Sequence, residues 1–407
     1  MSDADRHRLL REVAHSGFCS HPVRLVGEAV NLATGEVNPR QFKVACKDRR
    51  QSVCPACSDR YETDAWIIVA AGLNGGKGVP GSVALAPRVF VTVTAPSFGS
   101  VHRSDSHGPC VERGRHGLYC SHGRPRWCDE RHHDSDFEVG HPLCDQCFDA
   151  RSAVLWNAHA SALWSRTVQE ARRNLAGAVG VERERLGEVA HLHYVKVAEL
   201  QLRGMVHFHA LFRVDTEDDG SRIEVADVVS ALQRAISMTV LKDGDQRFLW
   251  GRVFDVRDIG ASVRDTHGVA SYLAKYVTKT AGGSIELARR FQSRREIAVR
   301  VGNRHLRRLA LEAWDMGCER SANTLGYSGQ FITKSRGYST NFQALRAARA
   351  AFWIPEPESD GVEATYTYDG RGYDDPRASD LAEVLARLER ERRIQERRSS
   401  KECRDDC

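Results

Sequence analysis

Glu199-Leu200-Gln201-Leu202-Arg203-Gly204-Met205-Val206-His207-Phe208-His209 is the stretch on which the fold turns. Two β runs, His193 to Gln201 and His207 to Val214, flank Leu202-Arg203-Gly204-Met205-Val206, and the spacing predicts a hairpin. Side chains alternate along a strand, so His207 and His209 share one face while Phe208 points to the other. Neutral imidazole nitrogens ligate divalent cations, and two on one face supply half of a site. Glu199 and Gln201 are likewise two residues apart on the preceding strand. If Gln201 pairs with His207, then Glu199 pairs with His209, and all four side chains converge. The third ligand is therefore expected from Glu199 or Gln201. His191-Leu192-His193 repeats the triplet, but it opens its strand and has no carboxylate hairpin opposite, so it is not taken as a ligand pair.

Outward from the hairpin, Val89-Phe90-Val91-Thr92-Val93-Thr94 is β-branched, is ended by Ala95-Pro96 and predicts another strand, as does Phe248 to Val256. Helical periodicity marks Ser152 to Leu175, Val225 to Val240, Val269 to Thr280 after Gly268, Arg304 to Met316 and Phe342 to Phe352. Ser379 to Arg398 reads as a highly charged helix with a narrow apolar stripe, and Pro355 to Pro376 as a flexible loop or linker. The expected class is α+β, an antiparallel sheet with packed helices. The expected division is a cysteine-knuckle region at 1–70, a main domain at 85–350 with a metal-binding insertion at about 110–150, and a linker with charged helix at 351–407.

Tyr272-Leu273-Ala274-Lys275-Tyr276 places two phenols at i and i+4, and an ammonium at i+3, on one helical face. Two phenols and an ammonium make a poor core stripe. A phenol, with an ordinary pKa near 10, is a weak nucleophile until a cation favours its ionised form.

Twelve cysteines in a chain without a signal-peptide stretch argue for metal before disulfides, and the chain is expected to stay in the cytoplasm. Cys54-Pro55-Ala56-Cys57 and Cys144-Asp145-Gln146-Cys147 are Cys-x-x-Cys knuckles, a spacing that presents two thiolates to a tetrahedral Zn²⁺. Cys19 and Cys46 are the candidate partners of the first. Cys120, Cys128, His122 or His132 are those of the second, while Cys318, Cys403 and Cys407 have no evident partner.

The chain has 407 residues, 41% of them hydrophobic, and a net charge of +5, a mild basic excess compatible with a nucleic-acid partner. Arg289, Arg290, Arg294 and Arg295 open an arginine-rich run that continues to Arg308 and could face phosphates. No apolar run is long enough to span a bilayer, so no membrane partner is expected. Gly75-Gly76-Lys77-Gly78 has Gly78 where a nucleotide-binding loop needs Ser or Thr, so no nucleotide cofactor is expected and duplex unwinding would fall to a host helicase.

In that order along the chain, Thr92-Val93-Thr94-Ala95-Pro96, His207-Phe208-His209 and Tyr272 to Lys279 resemble the three motifs of the HUH endonuclease superfamily. The paired tyrosines look like rolling-circle initiators. Val154-Leu155-Trp156-Asn157-Ala158 and Thr333-Lys334-Ser335-Arg336-Gly337-Tyr338-Ser339 are similar to the RepSA-like initiators of actinobacterial plasmids and integrative elements, and the resemblance runs from about residue 19 to 350. It implies the HUH fold, with His207 and His209 as ligands of a catalytic Mg²⁺ or Mn²⁺ and Tyr272 and Tyr276 as nucleophiles. It further implies single-stranded origin DNA as substrate, with a host polymerase extending the free 3′-hydroxyl. Lys275 also fits the Tyr-x-x-Lys form of single-tyrosine members, which favours Tyr272 if one nucleophile suffices. An HUH transposase or conjugative relaxase would share this chemistry on a different substrate. A non-enzymatic zinc-ribbon DNA-binding regulator would use the same histidines and tyrosines only as core residues.

Overall fold

The computed structural model describes residues 3–104, 108–114, 118–216, 223–260, 263–278, 287, 289–353 and 361–405. Lys279, Thr280 and Cys407 lie outside these, as does the 355–360 part of the expected linker. In chain order come α1 (Asp3–His15), β1 (Val23–Asn31), β2 (Val37–Val44), α2 (Pro55–Asn74), β3 (Arg88–Thr94), α3 (Ala150–Ala178), the short α4 (Leu186–Val189), β4 (Ala190–Leu200) and β5 (Val206–Thr216). They continue with α5 (Val225–Met238), β6 (Leu241–Asp243), β7 (Gln246–Phe248), β8 (Asp255–Asp258), α6 (Val263–Val277), α7 (Arg294–Arg300), α8 (Arg304–Asp315), β9 (Ile332–Lys334), α9 (Phe342–Trp353), β10 (Val362–Arg371) and α10 (Pro376–Asp405). The chain divides into two compact units, Met1–Ile68 with Thr340–Cys407, and Val69–Ser339. Antiparallel sheets with packed helices make this a mixed α/β protein.

The Val69–Ser339 unit is built on a five-stranded antiparallel sheet of order β8-β3-β5-β4-β9, with β5 at its centre. One face carries Val89, Val91 and Val93 of β3 and Phe208, Ala210 and Phe212 of β5, packed with Val154, Leu163, Trp164 and Val168 of α3 into the main core. Each large side chain so buried contributes about 1.5–3 kcal/mol. Asn157, buried within α3, donates to the carbonyls of Gly204 and Leu325 at 2.9 Å each and accepts from the Val206 amide at 3.0 Å. That single amide pins the hairpin turn to the helix. Tyr338, fully buried, donates to the Val69 carbonyl at 3.1 Å.

The hairpin is tighter than its sequence suggests. Leu200 pairs with Val206, Glu199 with His207 and Val197 with His209, a slip of two residues from the expected Gln201–His207 register. Gly204, at φ +81°, makes the difference: its left-handed backbone closes the loop so that the Gln201 amide donates to the Met205 carbonyl at 2.9 Å. A two-residue slip preserves which side chains share a face.

Three further expectations are corrected. Phe248 to Val256 is not one strand: β7 ends at Phe248 and β8 begins at Asp255. The tyrosine helix starts at Val263 rather than after Gly268, since one internal glycine costs a helix only about 1 kcal/mol. The segment read as linker holds a strand, β10, which pairs with β1 along its whole length.

Within the unit of the two chain ends, β1 lies between β10 and β2. Leu9 and Val13 of α1 pack on Ala378 and Ala382 of α10.

Candidate functional site

On the sheet face opposite the main core, His207 and His209 of β5 stand beside Thr94 and Thr92 of β3 and Glu199 of β4. The two imidazole centroids are 4.5 Å apart. Thr92 Oγ1 lies 3.2 Å from His209 Nδ1, which leaves Nε2 facing Glu199 Oε2 at 3.6 Å. An outer partner on one ring nitrogen with a carboxylate near the other is how metal-ligating histidines are oriented. His207 Nδ1 is buried without a hydrogen-bond partner, an omission that ordinarily costs about 1–3 kcal/mol. Burial, then His209, pushes the His207 imidazole down to about 4, so it is neutral over the ordinary pH range. Imidazole nitrogens and a carboxylate oxygen are donor types that divalent cations accept.

Gln201 does not join them. Its Oε1 accepts from Arg203 Nε at 2.9 Å, and Arg203 Nη2 also donates to Thr94 Oγ1 at 2.8 Å and the Ala95 carbonyl at 3.2 Å. The guanidinium thus ties the hairpin turn to the end of β3 and consumes the amide oxygen.

Helix α6 covers this face. Ala270, Leu273, Ala274 and Val277 are its buried stripe, which leaves Tyr272 and Tyr276 along its flank. The His209 ring centroid is 5.2 Å from that of Tyr272 and 4.9 Å from that of Tyr276, and the phenols are 4.7 Å from each other. Tyr272 is 41% exposed, so one side of its ring faces solvent. Burial, the Tyr276 hydroxyl and its charge, and the Glu199 carboxylate push the Tyr272 phenol well above its ordinary value. Lys275 is exposed on the same helix.

Beside Tyr272 lies an open groove of about 610 Å³, lined by Phe90, Arg257, Asp258, Gly268 and Val269 among others. The Arg257 guanidinium sits 5.5 Å from the Phe90 ring centre. Neither residue was singled out from sequence, because each comes from a different strand and no short-range spacing links them to α6. Of the arginine run, Arg289, Arg290 and Arg295 are exposed, whereas Arg294 is held by Asp315 at 2.8 Å.

Three cysteine and histidine clusters among the described residues could each hold a metal such as zinc: Cys19, Cys46, Cys54 and Cys57; Cys120, His122, Cys144 and Cys147; and His102, Cys110, Cys128 and His132. In each, the ligand atoms lie within 4.8 Å of one another. The first is the expected set. The second takes His122 where Cys128 had also been a candidate, because Cys128 belongs to the third cluster, 3.5 Å from His132 Nε2. Sequence reading missed that third cluster. Its signal was the Cys128-x-x-x-His132 spacing, short enough for one loop to present both ligands to one ion.

The RepSA family model, described as "Replication initiator protein, pSAM2", matches residues 5–387. A "Replication initiator protein" from Streptomyces ambofaciens is 34% identical over 418 aligned residues, covering 91% of this chain and 86% of that protein. No solved structure matches the chain.

Proposed function

The chain belongs to the RepSA family of replication initiators, and from that premise we propose that it nicks single-stranded origin DNA with a tyrosine nucleophile and a divalent metal. The observation that carries the proposal is the meeting of His209 with both phenols, at 5.2 and 4.9 Å between ring centroids. On this reading, residues 85–350 hold an HUH-type endonuclease domain with a zinc-binding insertion. The termini at 1–70 and 351–407 flank it.

His207, His209 and Glu199 would hold the catalytic ion, with Thr92 orienting His209. Bound there, Mg²⁺ or Mn²⁺ would supply Lewis-acid activation of the scissile phosphate. The Tyr272 phenol gives up its proton and its oxygen attacks phosphorus. The bond to the 3′ oxygen breaks, and that oxygen takes up a proton and leaves as a 3′-hydroxyl. The 5′ phosphate stays on the tyrosine. One phosphodiester replaces another, so rejoining needs no ATP. At rest the raised pKa of Tyr272 keeps the phenol neutral, which guards against attack before a substrate and cation are in place. Tyr276, beside it, serves the second strand transfer. Lys275 meets the phosphate from the exposed side of the helix, and the Phe90–Arg257 groove holds a nucleotide flanking the cut. Arg289, Arg290 and Arg295 extend the phosphate contacts. A host helicase and polymerase act on the product in the cytoplasm.

Labelled single-stranded origin DNA, incubated with the protein and Mg²⁺ or Mn²⁺, tests this. Wild type is expected to yield a covalent adduct, and Tyr272→Phe/Tyr276→Phe to lose it by about 10³-fold or more. His207→Ala/His209→Ala is expected to abolish cleavage while retaining most phosphate-driven binding. An undiminished adduct in the double phenylalanine variant would remove Tyr272 and Tyr276 as nucleophiles, and wild type that neither cleaves nor forms an adduct would leave a DNA-binding regulator.

A further inference from the structure

The sheet of the Met1–Ile68 and Thr340–Cys407 unit turns out one face of unusual composition. Across β2, β1 and β10, Phe42 lies opposite Leu25 and Tyr368, and Arg40 lies opposite Gly27 and Tyr366. Arg371, opposite Val23, falls on the same face. Phe42, Tyr366 and Tyr368 are 38%, 42% and 65% exposed, far from the buried state such rings ordinarily take. Phe42 and Tyr366 meet edge to face at 4.7 Å, although β1 separates their strands. Gly27 permits this: a Cβ there would come within 2.8 Å of the Tyr366 ring.

Charge is sorted between the two faces. Glu28 and Glu363 alternate to the opposite side, where Arg24 is paired with Asp374 at 2.8 Å and Lys43 with Glu12 and Asp374. Asp369, at the β-bulge beside Arg24, reaches that arginine's Nε at 3.6 Å. The aromatic face therefore carries Arg40 and Arg371, both exposed, and no strand carboxylate. Rings open to solvent and flanked by arginines match the chemistry of bases and phosphates, which stack and pair on such sheets. An apolar protein partner would not require the exclusion of every carboxylate.

We propose that this face is a second, non-catalytic binding site for single-stranded DNA, with bases stacked on Tyr366, Tyr368 and Phe42 and phosphates met by Arg40 and Arg371. The proposal rests on the nickase reading for the source of the strand, an unwound origin. The rings supply sequence-tolerant affinity, and the two arginines make it salt-dependent.

Fluorescence anisotropy of a labelled oligo-dT on the full chain measures this, with sedimentation to report oligomeric state. Tyr366→Ala/Tyr368→Ala is expected to weaken binding at least about tenfold, and Tyr366→Phe/Tyr368→Phe to bind like wild type, since stacking needs the ring and not the hydroxyl. Wild type that binds oligo-dT yet nicks no origin DNA would count against the endonuclease and not against this face. If the alanine pair fails to fold, Arg40→Glu/Arg371→Glu carries the test with the same expected loss. Unchanged affinity in the folded alanine or charge-reversed variant overturns the proposal. So does a changed oligomeric state with unchanged affinity, which would assign the face to a second copy of the chain.

Discussion

Lys196 is 2% exposed, on the core face of β4, with its ammonium 3.8 Å from the Phe208 ring centre and 3.5 Å from the Tyr327 hydroxyl. Burial pulls its pKa from 10.5 down to about 7. The unfolded chain keeps the ordinary lysine value, so between about pH 7 and 10.5 the unfolded state holds a proton that the folded state lacks. Stability therefore rises with pH across that window, and below it the full cost of the buried charge, on the order of a few kcal/mol, is present. Lys196→Met is expected to raise the melting temperature at pH 6 and to flatten the rise between pH 7 and 10. Thermal melts of both proteins over that range check it, and an unchanged slope in the variant would count against a buried ammonium. At this scale the sequence was legible wherever the spacing lay within one element: two on a strand for His207 and His209, four on a helix for Tyr272 and Tyr276. Whether Glu199 or Gln201 reached the imidazoles hung on the turn conformation at Gly204. Phe90 and Arg257 were beyond reach because they arrive from separate strands.

At the scale of elements, the five-stranded sheet owes its legibility to β3 and β5, whose β-branched and aromatic residues are buried over most of each strand. β10 shows the converse. Thr365-Tyr366-Thr367-Tyr368 buries neither face, so it lacks the hydrophobic alternation that marks a strand and reads as loop. The cysteine clusters were legible in chemistry and not in partition. Val111 pairs with Cys128 and Tyr119 with Pro125, so the chain folds back on itself and carries Cys128 to Cys110 rather than to the Cys144 knuckle. Three clusters predict three zinc ions per chain in protein purified without chelator. Elemental analysis of wild type against Cys110→Ser/Cys128→Ser is expected to give three and two. Equal contents would remove the third cluster from the metal sites, and the loss of all zinc would mean the clusters fold together rather than singly.

At the scale of the whole molecule, the two chain ends share one unit: α1 packs on α10 and β1 is flanked by β2 and β10. Reading 351–407 as linker and helix missed this, because pairing between strands more than 300 residues apart leaves no local signature. The continuous Val69–Ser339 unit was the more legible part, its sheet and tyrosine helix lying within one stretch of chain. Two motifs noted only for their resemblance have physical work there. Asn157 fastens the hairpin to α3, and Tyr338 anchors its loop to Val69.

The imidazole pair comes from β5 and the phenols from α6, and their contact is what a nicking reaction would require. Peptide mapping by mass spectrometry of the protein after reaction with origin DNA and Mn²⁺ tests it most directly. The expected product is an oligonucleotide joined through its 5′ phosphate to Tyr272 or Tyr276. An adduct on a residue outside α6, or cleaved DNA with a free 5′ phosphate and no adduct, would contradict it.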